Sequence, residues 1–235
     1  MSMKTGSASA FALALAALVS VAFLARPYGG LDGKSRSGSV EETRMNEMVV
    51  RGRYLVVSHD CNGCHGGADP AAPGWLAGVM KPQQEFLIGP CAFTPGATPC
   101  FHTRPRNLTP DNMTGLGRFT ERQLFNSLRY GLRPEDTPDV EITSSTPGSG
   151  NFPLHPHYLA PPMPWPGWRH MPDEDLMAIV AYLKYGLKPV RNKVADSEGP
   201  PDFWASEYTV EKIGQYPAPA FPTVNELAPL EAKRP

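Results

Sequence analysis

Three side chains that can bind a metal or react covalently lie within five consecutive residues, Cys61-Asn62-Gly63-Cys64-His65. Two thiols at this spacing can add to the two vinyl groups of haem b and form thioethers. The imidazole of His65 follows directly, so it can reach the haem iron from the same face. The spacing therefore predicts covalent attachment of a c-type haem at Cys61 and Cys64, with His65 as an iron ligand.

Other uses of a Cys-x-x-Cys pair explain this segment less well. A redox-active pair is typical of a βαβ context, and no such pattern surrounds it. A structural zinc site needs four ligands, which the four cysteines of the chain could supply, but an exported protein more often pairs its spare thiols in disulfides. A simple disulfide between Cys61 and Cys64 would leave the adjacent His65 unexplained.

A haem iron bound by His65 has a sixth position, and a methionine there raises the reduction potential. Met163 is our candidate because prolines stiffen the backbone on both sides, in Ala160-Pro161-Pro162-Met163-Pro164. A thioether is a weak ligand, so it benefits from such a pre-organised backbone. The other candidates for this position are Met113, Met171, His102, His155, His157 and His170.

The two remaining cysteines, Cys91 and Cys100, enclose a short loop that contains Pro95 and Pro99. In an oxidising compartment, spare thiols at such spacing usually pair. We therefore expect a Cys91–Cys100 disulfide, with two free buried thiols as the alternative.

The amino terminus predicts export from the cytoplasm. Residues 11–25 are apolar except for Ser20, and Arg26 and Pro27 end the run. This length fits the apolar core of a signal peptide, and counting from residue 8 brings it near the lower limit for a membrane span. We assign 1–26 as a signal peptide or membrane anchor and the Gly/Ser-rich 27–40 as a flexible linker, and we expect a periplasmic location, soluble or anchored through 8–25.

The composition excludes one large class of partner and limits the secondary structure. The formal net charge is −1, which argues against a nucleic-acid-binding protein. The 27 prolines and 22 glycines predict short helices, long loops and little sheet.

Three helices are predicted to position the chemistry. The first runs from Glu41 to the CNGCH segment, and the second follows a capping box formed by Thr120 and Gln123 and ends at Gly131. The third begins at Pro172, has three acidic residues in its first turn, and ends at Gly186. Residues 133–169 have no periodicity, so they form a long ordered loop or a disordered one.

The helices delimit a cytochrome-like domain at 41–189, followed by a proline-rich tail at 190–235. A plain linker would not carry the aromatic side chains of this tail. They either wrap the domain or dock on a partner subunit, and we expect docking, because extended proline-rich chain loses little entropy on binding. The aromatic residues are Phe203, Trp204, Tyr208, Tyr216 and Phe221.

Between about residues 48 and 188, several segments together resemble a known family. They are Gly52-Arg53-Tyr54-Leu55, CNGCHG, Pro73-Gly74-Trp75-Leu76-Ala77-Gly78, Asn107-Leu108-Thr109-Pro110-Asp111, Thr114-Gly115-Leu116-Gly117-Arg118-Phe119-Thr120, Met163-Pro164-Trp165 and two pieces of the third helix, Asp173-Glu174-Asp175-Leu176 and Ala181-Tyr182-Leu183-Lys184. The chain resembles a bacterial class I cytochrome c. It is most similar to the monohaem domains in the cytochrome subunits of membrane-bound alcohol and gluconate dehydrogenases.

The resemblance implies an all-α class I cytochrome c fold, with three main helices around one covalently bound haem and long proline-rich loops. It also implies Met163 as the axial ligand. The expected function is electron transfer between redox protein partners, such as a dehydrogenase, an oxidase or a membrane complex, rather than enzymatic turnover. The alternative is a haem enzyme or gas sensor with a vacant or labile sixth iron site. The 91–100 segment, the 133–162 loop and the tail depart from the family pattern.

Overall fold

The computed structural model describes residues 33–79, 85–200 and 202–227. Short helices and a small sheet are joined by long loops. The elements in these ranges are α1 (Gly33–Ser58), α2 (Cys61–His65), β1 (Phe86–Ile88), β2 (Phe101–Thr103), α3 (Glu121–Tyr130), α4 (Trp165–Trp168), α5 (Asp173–Ala181) and α6 (Val210–Ile213). A π-helical turn, Tyr182–Gly186, continues α5.

Helix α1 begins at Gly33, eight residues before the predicted start at Glu41. The prediction of a flexible linker at 27–40 is therefore wrong for residues 33–40, which are helical. No proline interrupts the chain between Pro27 and Pro70. The helical hydrogen bonds of this segment are therefore not interrupted by a residue that lacks a backbone N–H.

Helices α1 and α5 cross in direct backbone contact at Gly52. A Cβ atom there would lie 1.9 Å from the carbonyl oxygen of Ala178 and 2.8 Å from the Cβ of Tyr182, so only glycine fits. Beside the crossing, Arg51 donates to both carboxylate oxygens of Asp175, at 2.9 and 3.1 Å. The main apolar core fills the space around this contact, and its fully buried members include Val56, Leu76, Leu176 and Val180.

Helix α3 has the predicted boundaries. The Thr120 hydroxyl accepts a hydrogen bond from the Gln123 N–H, and the Gln123 side chain accepts one from the Thr120 N–H, both at 3.1 Å. Gly131 ends the helix in the left-handed conformation, with φ at 68°. The capping box and the terminal glycine were both evident in the sequence.

The prediction of an all-α fold is wrong, because β1 and β2 pair as a two-stranded antiparallel sheet. A disulfide between Cys91 and Cys100 closes the segment that joins the strands, which confirms the predicted pairing. The covalent link brings the ends of this proline-containing loop together, so two three-residue strands can pair. Phe101 of β2 is buried against Trp204 of the tail, with ring centroids 5.0 Å apart.

The long loop after α3 is ordered around a second apolar cluster. Tyr130, Leu132, Ile142 and Phe152 form its buried part. The Tyr130 hydroxyl donates to the Ile142 carbonyl at 2.7 Å, and Leu132 pairs with Tyr158 in an isolated β-bridge. This cluster settles the open choice between an ordered and a disordered loop.

The tail packs aromatic side chains onto its own chain, which is the alternative to the predicted docking on a partner subunit. Trp204 is buried, and the Tyr208 ring lies 4.8 Å from Trp165. Tyr216 lies 5.9 Å from Tyr130. These aromatic residues cover apolar surface that the short helices leave open, whereas Phe221 is exposed.

We predict that a chain ending at Lys193 melts well below the full chain. Loss of the buried Trp204 side chain alone should lower the free energy of unfolding by about 3–5 kcal/mol. At this chain length that change lowers Tm by roughly 6 °C or more. Calorimetry of the two chains measures the difference. A chain ending at Ala220 is the matched control, because Phe221, Val224 and Leu227 are exposed, and it should melt with the full chain. Equal melting temperatures for the Lys193 chain and the full chain would contradict the wrapping role.

Within the described residues, no helix has the length and apolar character needed to cross a bilayer. The apolar stretch at residues 11–25, which carries the predicted signal peptide or anchor, lies outside those residues.

Candidate haem-binding site

Helix α2 presents both cysteines and the histidine of the CNGCH segment on one short turn of chain. Asp60 precedes it in the left-handed conformation, with φ at 53°, and so separates α2 from the end of α1. Both thiols are free, and Cys61 is half-buried while Cys64 is exposed. The structure thus brings Cys61, Cys64 and His65 together.

The environment of the thiols disfavours redox catalysis and zinc binding. Burial raises the pKa of Cys61 to about 11, and burial also raises that of Cys64. A reactive Cys-x-x-Cys pair needs a lowered pKa, because the thiolate is the nucleophile. The zinc alternative fails as well, because Cys91 and Cys100 are joined to each other, and the described residues contain no group of three or more His, Cys, Asp or Glu side chains arranged to hold a metal ion.

The His65 ring is oriented for metal binding. It is buried, and its Nδ1 lies 2.7 Å from the carbonyl oxygen of Arg106. Because a carbonyl only accepts, Nδ1 carries the proton and Nε2 keeps its lone pair. Burial also lowers the pKa of His65, against a smaller opposing effect of this hydrogen bond, and so favours the neutral ring that a metal requires.

Asn107 fixes the peptide that holds His65. Its side-chain nitrogen donates to the Val190 carbonyl at 2.7 Å and to the Thr114 hydroxyl at 3.1 Å. Its side-chain oxygen accepts from both the N–H and the hydroxyl of Thr109, at 2.9 and 2.8 Å. This fully satisfied, buried amide sits next to Arg106 in the chain and therefore positions the carbonyl that orients the histidine.

Hydrogen bonds also fix the loop that follows His65. The Gly78 N–H donates to the His65 carbonyl at 2.7 Å, and Asn192 donates to the carbonyls of Ala77 and Val79, at 2.7 and 3.2 Å. Gly66 has φ at 100°, and a Cβ there would lie 2.7 Å from the Gly78 oxygen. The turn that follows CNGCH therefore needs glycine at this position.

Met163 lies on a separate segment, half-buried in the bend before α4. Its N–H donates to the Ala160 carbonyl at 2.9 Å. Two residues on, Trp165 is 2% exposed and packs so tightly against Gly131 that a Cβ on the glycine would lie 2.1 Å from the indole ring. These contacts hold the backbone on both sides of Met163.

The other candidates for the sixth position have different surroundings. Met171 packs on the main apolar core, and Met113 is 66% exposed. The histidine candidates either contact carboxylates or are exposed. His102 contacts Glu85, His157 contacts Asp136, and His155 and His170 are exposed.

The residues of the site fit a c-type haem: two free thiols, a neutral buried imidazole with Nε2 available, and an anchored methionine. Arg106 and Asn192 belong to the site although no sequence motif marks them. The Asn107-Leu108-Thr109 segment contributes to the family resemblance, which assigns it no role. A backbone carbonyl leaves no signature in the sequence, so the contact between Arg106 and His65 could only be seen in the fold.

Comparison with known proteins is consistent with this class of site. No family model matches the chain. The cytochrome c subunit of gluconate 2-dehydrogenase from Pantoea cypripedii is 29% identical over 154 residues, 65% of this chain and 26% of that protein. The fructose dehydrogenase cytochrome subunit from Gluconobacter japonicus is 27% identical over 143 residues, 60% of this chain and 22% of that protein. The cytochrome c subunit of alcohol dehydrogenase (quinone) from Gluconobacter oxydans (strain 621H) is 26% identical over 157 residues, 65% and 25% of the two chains.

The predicted resemblance to the cytochrome c subunits of such dehydrogenases is confirmed. These relatives imply haem c as the cofactor. The chain spans about a quarter of the length of the relatives it matches.

Proposed function

We propose that this chain is an electron-carrying c-type cytochrome with one haem, attached at Cys61 and Cys64, and with His65 and Met163 as axial ligands. The strongest support is the 2.7 Å contact between Nδ1 of His65 and the Arg106 carbonyl. It selects the tautomer whose Nε2 can bind iron, within the one Cys-x-x-Cys-His segment of the sequence.

A haem held by these residues would supply one-electron transfer through its iron, which can be Fe(II) or Fe(III). The protein's contribution is to hold both ligands still. His65 is fixed through Arg106 and Asn107 on one side and through Gly78 on the other. Met163 lies between anchored neighbours. Ligands that stay bound in both oxidation states keep the structural change on each transfer small.

The proposed setting is a dehydrogenase complex on the periplasmic side of a membrane. The relatives are cytochrome subunits of gluconate, fructose and alcohol dehydrogenases, and we propose a partner of that kind for this chain, which would carry electrons without turning over substrate. We further propose export through residues 1–26, and a cytochrome region that extends from 33 to 189 with the tail packed onto it.

Carbon monoxide distinguishes this function from that of a haem enzyme or gas sensor. The full chain, matured in a host that attaches c-type haem, should give a reduced-minus-oxidised difference spectrum typical of two axial ligands. Its reduced spectrum should not change with carbon monoxide, because Met163 occupies the sixth position. A stoichiometric spectral change at low carbon monoxide concentration would show an open site and support the alternative.

A further inference from the structure

Arg169 is a buried cation that forms no salt bridge with any carboxylate in the described part of the chain. The residue is 5% exposed, and its Nε is buried without a hydrogen-bond partner. Its guanidinium forms no ion pair with any residue that the structure describes. It lies instead over aromatic rings, 4.8 Å from the centre of Tyr216 and 5.8 Å from that of Trp165.

Arg129 lies close to the same Tyr216 ring and has the partners that Arg169 lacks. Its guanidinium is 5.4 Å from the centre of Tyr216, pairs with Asp173, and donates to the Met171 carbonyl at 2.7 Å. Of two neighbouring buried cations, one is thus neutralised by a carboxylate and the other is not. An unpaired buried charge is costly to folding, so its presence needs an explanation.

The charge of Arg169 affects the pKa of the neighbouring His170. Burial lowers the pKa of His170, and the positive charges of Arg169 and Arg129 lower it further. Burial also lowers the pKa of Arg169 itself, yet a guanidinium stays protonated at neutral pH. The segment therefore carries a permanent positive charge in a site of low dielectric, where charges act over longer distances than in water.

Arg169 belongs to the same anchored segment as Met163. Its N–H donates to the Trp165 carbonyl at 2.8 Å, in the turn that follows Met163-Pro164. Six residues of chain separate the Cα atoms of Met163 and Arg169 by at most about 22 Å, and the helical turn of α4 shortens this distance.

We propose that the buried charge of Arg169, which no carboxylate of the described residues neutralises, raises the reduction potential of the haem. The inference rests on the proposed function, since it requires iron bound at Met163. When Fe(III) accepts one electron, the positive charge of the site falls by one. A fixed cation nearby disfavours the more positive oxidised state, so it stabilises Fe(II). The buried charge of Arg169 destabilises the fold, and the higher reduction potential is the functional reason for its presence.

Potentiometric titration of the mature holoprotein tests this role. Arg169→Met removes the charge and keeps most of the side-chain volume, so the midpoint potential should shift to lower values. Arg169→Lys keeps the charge, so its potential should remain close to that of the wild type. Arg169→Gln is the second neutral variant, for use if Arg169→Met does not fold, and should shift the potential in the same direction.

Arg122→Met is the matched control, because Arg122 also lies over an aromatic ring, 5.5 Å from the centre of Phe125, but is exposed. Water and salt screen its charge, so the potential should change little. An unchanged potential in the neutral Arg169 variants, or an equal shift in Arg169→Lys, would overturn the proposal. Failure of the proposed function would differ, because no haem spectrum with a bound methionine would be present to titrate.

Discussion

Replacing both Cys61 and Cys64 by alanine should abolish covalent haem attachment. Each thioether in our account needs one of these two thiols, and the other two cysteines of the chain are joined to each other. The variant, matured in the same host as the wild type, should show no haem on the denatured polypeptide in a gel stained for haem peroxidase activity. Each single variant should retain haem through one thioether or show a reduced yield.

The Cys91→Ala, Cys100→Ala double variant is the matched control, because it removes the same number of cysteines from the same chain. It should keep its covalent haem and lose about 2–4 kcal/mol of stability, the usual contribution of a disulfide. Covalent haem in the Cys61, Cys64 double variant would contradict the assignment. If only the Cys91, Cys100 double variant lost its haem, the attachment site would be Cys91 and Cys100 instead.

Replacing Met163 by alanine should open the sixth iron position. The oxidised protein should lose its weak near-infrared charge-transfer band from thioether sulfur to iron, and the reduced protein should bind carbon monoxide. The midpoint potential should fall by on the order of 0.1 V, because axial ligands set haem potentials within a range of about 0.8 V and methionine raises them. Absorption spectroscopy and potentiometry measure all three effects.

Met113→Ala is the control for this experiment, since Met113 is 66% exposed. It should leave the band, the potential and the carbon monoxide response unchanged. A band that persists in Met163→Ala would contradict the assignment and move the ligand to Met171 or Met113. A bis-histidine spectrum in the wild type would instead implicate His102, His155, His157 or His170.

Local signals in the sequence predicted the parts of the fold that depend on near neighbours. The capping box at Thr120 and Gln123, the terminal Gly131 and the Cys91–Cys100 pair each act within about ten residues. Their chemistry is carried by side chains, so it can be read directly. The CNGCH segment is of the same kind, since attachment depends on the spacing of adjacent residues.

Features that depend on contacts distant in sequence were not predicted. The β1–β2 sheet forms where Phe101 packs on Trp204, a hundred residues later. Wrapping by the tail depends on where the short helices leave apolar surface uncovered, which no local pattern shows. The hydrogen bond from His65 to Arg106 uses a backbone carbonyl that any residue could supply at that position.

Acid–acetone extraction of the wild-type protein, followed by mass measurement of the polypeptide, tests the central claim most directly. We predict that the colour stays with the protein and that its mass is that of the chain plus one haem, with the attachment mapped to the peptide containing Cys61 and Cys64. If the colour passes into the solvent and the polypeptide has the mass of the chain alone, the chain does not bind haem covalently and the proposed function is wrong.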